Sequence, residues 1–120
     1  MRIKGLVQAG DGRGRQLGFP TANLEGGAAA PEGGVYVGWA FLEGRRLGAL
    51  VNVGTRPTFA GTEKRTEVHL LDFAGDLYGK ELEIDFIKRL RDEQRFGSVQ
   101  ALKDQLAQDL KRARAILEED

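Results

Sequence analysis

Residues 80–87 read KELEIDFI, in which Leu82, Ile84 and Phe86 alternate with Glu81, Glu83 and Asp85. A period of two sorts these side chains onto opposite faces of an extended strand, and a helix would mix them. The stretch therefore demands a sheet with one buried face and one wet face. Other segments supply the partners. VYVGWAFL (35–42) and RRLGALVNV (45–53) flank Glu43-Gly44, two strand-like runs around a two-residue turn, which is a hairpin signal. RIKGLVQA (2–9) reads as a short first strand, and TEVHLLDF (66–73) as another followed by the turn AGDLYG. GGAAAPEGG (26–34) and GTRPTFAGTEKR (54–65) read as long loops, rich in small residues and breakers or in polar groups.

Only the tail has helical spacing. Ser98 is an N-cap candidate, and Val99, Leu102, Leu106, Leu110, Ala113 and Leu117 recur every three or four residues, predicting a helix over about 98–117. Glu118, Glu119 and Asp120 fall at the negative end of its dipole, so the last turn is expected to fray. Short antiparallel strands followed by one amphipathic helix suggest a small closed barrel with the helix packed on it.

The 120 residues suit one domain spanning 1–120. Eighteen basic and eighteen acidic side chains cancel, against the basic excess of a dedicated nucleic-acid binder. With no cysteine, disulfides, thiolate metal sites and cysteine nucleophiles are excluded. No apolar run approaches a bilayer span of about 20 residues, and residues 1–10 lack a signal-peptide pattern. A cytoplasmic protein with neither nucleic acid nor membrane as partner is the expectation.

The chain has a single histidine, His69, in mid-strand, which reads as a hydrogen-bonded strand residue and not as part of a zinc site or serine relay. GDGRGRQLG (10–18) fits neither a Walker loop nor a GxGxxG fingerprint, and it opens into Pro-Thr-Ala-Asn and not into a helix. By itself it reads equally as a surface loop or as backbone that wraps a ligand. The tetrapeptide at 20–23 says more. Proline fixes its own φ and drives Phe19 out of the helical region, so the segment runs extended. Thr21 and Asn23 then present a hydroxyl and an amide oxygen on one side. Two neutral hard oxygens suit Mg²⁺ that also binds substrate phosphates. A turn with asparagine bonded to its own backbone fits the same four residues.

Here the chain resembles the riboflavin kinase family. GRGRQLGFPTANL (12–24), PEGGVY (31–36), NVGTRPTF (52–59), EVHLLDFAGDLYGKEL (67–82) and RLRDEQRFGSVQALKDQLAQD (89–109) follow the family's order across nearly the whole sequence. The resemblance implies a mainly β fold, a six-stranded antiparallel Greek-key barrel with a C-terminal helix. It also implies transfer of the ATP γ-phosphoryl group to the 5′-hydroxyl of riboflavin, giving FMN and ADP with Mg²⁺. Glu67 would be the catalytic base, with Thr21 and Asn23 as the Mg²⁺-nucleotide ligands. Gly10 and Arg15 in the glycine loop, with Leu70, Asp72 and Tyr78, would line the nucleotide. Asn52, Arg56, Arg91, Glu93 and Phe96 would border the flavin. In bacteria such a module is commonly joined to an adenylyltransferase domain in a longer parent chain. The loops at 10–18 and 54–65 are the expected lids. A non-catalytic flavin or nucleotide carrier on the same barrel is the alternative, and the joint presence of metal ligands and a base speaks against it.

Overall fold

In the computed structural model, which describes residues 1–8, 20–25 and 30–120 apart from the side chain of Arg56, six strands are found. They are β1 (Arg2–Gln8), β2 (Ala22–Leu24), β3 (Gly34–Leu42), β4 (Arg45–Thr58), β5 (Gly61–Leu70) and β6 (Glu81–Arg91). All pairings are antiparallel, and the strands close into a barrel in the order β1-β2-β5-β4-β3-β6. Consecutive hairpins join β3, β4 and β5, and β2 lies beside β5 across a longer connection, which is the Greek key that the resemblance implies. α1 (Val99–Glu119) follows, capped by Ser98, whose hydroxyl accepts from the Ala101 amide.

The alternation in the KELEIDFI stretch does what it demands. Leu82 and Ile84 are fully buried among Val51, Val53, Val68 and Ala49, which fill the barrel interior. Each of these valine, leucine and isoleucine side chains stabilises the fold by about 1.5–3 kcal/mol. A second apolar layer lies outside the barrel, where Val35, Val37, Leu50, Leu71 and Leu90 meet Ala113 and Leu117 of α1. The same strands therefore bury both faces where the helix lies and only one elsewhere. Thr66 Oγ1, in the interior opposite Leu24 and Val53, is buried without a hydrogen-bond partner among the described residues.

Several sequence expectations need correction. Residues 54–65 are not a loop: β4 and β5 run on past the barrel as one hairpin, paired from Gly54↔Arg65 to Thr58↔Gly61 around a two-residue turn. Pro57 sits within it, where β3 no longer pairs with β4 and a missing amide is tolerated. β5 stops at Leu70 and not at 73, because Asp72 takes a left-handed φ of 56°. β6 continues to Arg91, beyond the alternating stretch. The Glu43-Gly44 turn is as read, with both residues at positive φ, the twist a tight hairpin requires.

On α1 the apolar stripe begins later than its spacing suggests, since Val99 is exposed. Patterning also missed Asp109, which is fully buried. Its carboxylate accepts from Arg91 Nε and Nη2, the latter at 2.6 Å, and from Gln105, pinning the helix to β6. The far end does not fray in this structure: the indole N–H of Trp39 donates to Asp120 at 2.6 Å, and Arg46 lies 4.0 Å over the Trp39 ring.

Candidate functional site

β-Strand register builds the site. Glu67 on β5 lies directly opposite Asn23 on β2 and Asn52 on β4. Directly opposed residues share a face with Cβ atoms about 4.5–5.5 Å apart, so the three side chains form one row. That row continues through Val35 to Arg91. Val35 belongs to the layer under α1, so the whole row lies on the outer wall of the barrel. It starts beneath the helix and runs on to Asn52, Glu67 and Asn23, all half-buried.

Glu67 thus stands between two neutral amide side chains. Among the described residues no cation lies within ion-pair distance of it, whereas Asp72, Asp85, Asp92 and Asp109 all have one. A half-buried carboxylate is a chemically suitable acceptor for the proton of an incoming hydroxyl. Thr21 is exposed at the entry to β2, two residues before Asn23 in extended chain, so its hydroxyl is on the side of the Asn23 amide. As a donor set this hydroxyl and amide fit Mg²⁺ carried by a polyphosphate. No group of three histidine, aspartate or glutamate side chains that could hold a metal occurs among the described residues.

His69 shares the outer face of β5 with Glu67. Its Nδ1 lies 2.8 Å from the carbonyl oxygen of Pro20. It is thus a hydrogen-bonded strand histidine, as expected, and its acceptor belongs to the Pro-Thr-Ala-Asn segment.

The flavin-side residues of the sequence reading converge from three elements. Asn52 is in the row. Glu93, just after β6, has its carboxylate over β4, because a Cβ at Gly54 would stand 2.5 Å from Glu93 Oε2. Gly54 lies two residues beyond Asn52 on the same face, so Asn52 and Glu93 are neighbours on the wall. Arg91 is turned to Asp109, with Phe96 5.9 Å from its guanidinium. Nearby, three side chains from three strands hold successive parts of the 30–33 segment. Lys64 donates to the Ala30 carbonyl, Tyr36 to Glu32 and Arg89 to Gly33. Sequence reading missed this triple hold, because nothing in the spacing of Lys64, Tyr36 and Arg89 links them.

Other residues from that reading lie elsewhere. Leu70 points into the barrel core, so its side chain is on the opposite face from Glu67. Asp72 is exposed and bonded in fork geometry to Arg114 of α1 at 2.8 and 2.9 Å. The Arg114 hydrogen bonds hold its carboxyl below the usual aspartate range. Tyr78 is exposed in the β5–β6 connection, whose Gly79 amide is tied to Val7 of β1. Gly10, Arg15 and the loop 10–18 lie outside the described residues, as does the side chain of Arg56.

The family model described as "Flavokinase: Riboflavin kinase" matches residues 1–117. The chain belongs to this family. The bifunctional riboflavin kinase/FMN adenylyltransferase of Pseudomonas fluorescens is 46% identical over 96% of this chain and 38% of its own length. The chain therefore spans little more than a third of that flavokinase-family relative. A crystal structure of riboflavin kinase from Trypanosoma brucei superimposes with a TM-score of 0.73 at 26% identity, covering 98% of this chain and 79% of that one. A crystal structure of a macrolide-efflux protein from Streptococcus pneumoniae superimposes with a TM-score of 0.86 at 37% identity, covering 94% of this chain and 38% of that one. Among the described residues no helix is long and apolar enough to cross a membrane.

Proposed function

We propose that this chain is a riboflavin kinase, with Glu67 accepting the proton of the riboflavin 5′-hydroxyl as that oxygen attacks the γ-phosphorus of ATP. The bond between the γ-phosphorus and the β,γ-bridging oxygen breaks, and ADP leaves. The observation that carries the reading is the cross-strand row Asn23–Glu67–Asn52, a carboxylate between an amide on β2 and an amide on β4. Phosphoryl transfer asks little covalent chemistry of a protein and depends on positioning, which a row fixed by sheet register supplies. Asn23 and Thr21 bind the nucleotide on the β2 side, and Asn52 with Glu93 orients the flavin on the β4 side. Thr21 and Asn23 would hold Mg²⁺ together with the phosphates, where it would supply positive charge against the phosphate oxygens. Because both protein donors are neutral, Mg²⁺ alone binds weakly and gains affinity with ADP or ATP. The lack of cysteine fits a cytoplasmic setting, and the relatives' greater length fits a parent chain that also carries an adenylyltransferase domain.

The test is direct. The purified chain is incubated with riboflavin, ATP and Mg²⁺, and flavins are separated by chromatography with fluorescence detection and a metal-free control. Metal-dependent FMN without FAD is the expected result. Flavin binding with no FMN would replace this reading with that of a carrier.

A further inference from the structure

We propose that His69 is a positioning residue whose Nδ1–H holds the Pro-Thr-Ala-Asn segment in the orientation that binds Mg²⁺-nucleotide. This rests on the reading of Thr21 and Asn23 as the nucleotide-side ligands.

The bond is between His69 Nδ1 and the Pro20 carbonyl oxygen at 2.8 Å. A carbonyl oxygen accepts and cannot donate, so Nδ1 must carry the proton. Pro20 has no amide N–H to give to a neighbouring strand, and its carbonyl is the only main-chain group through which it can be held. That carbonyl belongs to the peptide plane joining Pro20 to Thr21. Fixing it fixes the direction in which the chain enters Thr21.

β2 needs such a hold. It is three residues long, pairs with β1 at two positions and begins only at Ala22, so the sheet ladder does not include Thr21. His69, in contrast, is set within a ten-residue strand and is paired with Leu50 of the long strand β4. It lies two residues from Glu67 on the same face. One rigid strand therefore carries both the proton acceptor and the anchor of the nucleotide-side ligands, which ties their separation to β5 itself.

The side chain that best replaces Nδ1 is asparagine, whose amide nitrogen branches from the same γ carbon. Glutamine places its amide one bond farther out. For the 120-residue chain, His69→Gln is expected to weaken Mg²⁺-ADP binding by about tenfold in calorimetry and to raise KM for ATP in parallel. KM for riboflavin and the melting temperature should move little. His69→Asn should restore most of the lost nucleotide affinity.

Unchanged Mg²⁺-ADP affinity in His69→Gln would overturn the proposal. So would equal losses for ADP and riboflavin, which would make His69 a support of the barrel at large. A ¹⁵N spectrum of the imidazole in the wild-type chain tests the bond without activity: a protonated Nδ1 is expected, and an unprotonated Nδ1 would refute it. If the wild-type chain forms no FMN, the kinase reading fails by itself, and the ¹⁵N spectrum then decides the histidine bond separately.

Discussion

The two strands flanking Glu67 are held in place by different means. β4 has fourteen residues, pairs with β3 along nine positions and with β5 along ten, and lies partly under α1. β2 has three residues and depends on Ala22 and Leu24 in the core, a few ladder bonds and the His69–Pro20 hydrogen bond. Asn52, the proposed flavin-side amide, thus rides on the fold itself. Asn23, the proposed nucleotide-side amide, rides on a short segment that side chains help to fix. Substitutions behind β4 should be felt first as lost stability, and those around β2 as lost nucleotide affinity.

Glu67→Gln, between the two, should give the largest effect and belong to neither side. Turnover is expected to fall by about 10²–10⁴-fold with Mg²⁺-ATP and riboflavin binding nearly intact, read from single-turnover rates beside equilibrium titrations. Equal loss of binding and turnover would make Glu67 a structural residue.

Asp109→Ala probes the β4 side through the helix. It leaves the Arg91 guanidinium without its buried partner and should cost about 3–5 kcal/mol in denaturant unfolding. If activity at low temperature in the still-folded variant drops as far as in Glu67→Gln, the division between stability and catalysis is wrong.

Gly54→Ala is finer. The new methyl would displace the Glu93 carboxylate, the far end of a flexible side chain, so stability should barely change. Riboflavin KM should rise about fivefold, equivalent to roughly 1 kcal/mol, with ATP KM unchanged. A larger effect on ATP would exchange the assigned sides.

Thr66→Val should have the smallest effect and the opposite sign. It removes a buried hydroxyl that has no partner among the described residues, and unfolding free energy should rise by about 1 kcal/mol. A destabilised variant would mean that Thr66 is hydrogen-bonded in solution.

Much of this was legible in the sequence, for physical reasons that can be named. Period-two patterning reports which face is dry, so the strands and the burial of Leu82 and Ile84 could be read directly. The Glu43-Gly44 turn was legible because so few residues accept positive φ. Where patterning fell silent, the reading erred. Residues 57–63 of the β4–β5 hairpin are exposed on both faces, so nothing periodic distinguished them from a loop. Asp109 breaks the apolar stripe of α1 because its partner, Arg91, is eighteen residues away. Residue roles were less legible than the fold. Glu67 is one of eighteen acidic residues, and the resemblance alone picked it out. Its setting between Asn23 and Asn52 depends on long-range register that no local spacing encodes.

The candidate row lies on the outer wall, while the barrel is held together from within by Val51, Val53, Val68, Leu82 and Ile84. The proposed chemistry and the cohesion of the barrel thus draw on alternate residues of the same strands. A descendant of this chain could lose Glu67, Asn23 and Asn52 by mutation and still fold into the same barrel. In such a lineage activity can be abandoned without passing through an unfolded ancestor, leaving a stable scaffold open to a new ligand.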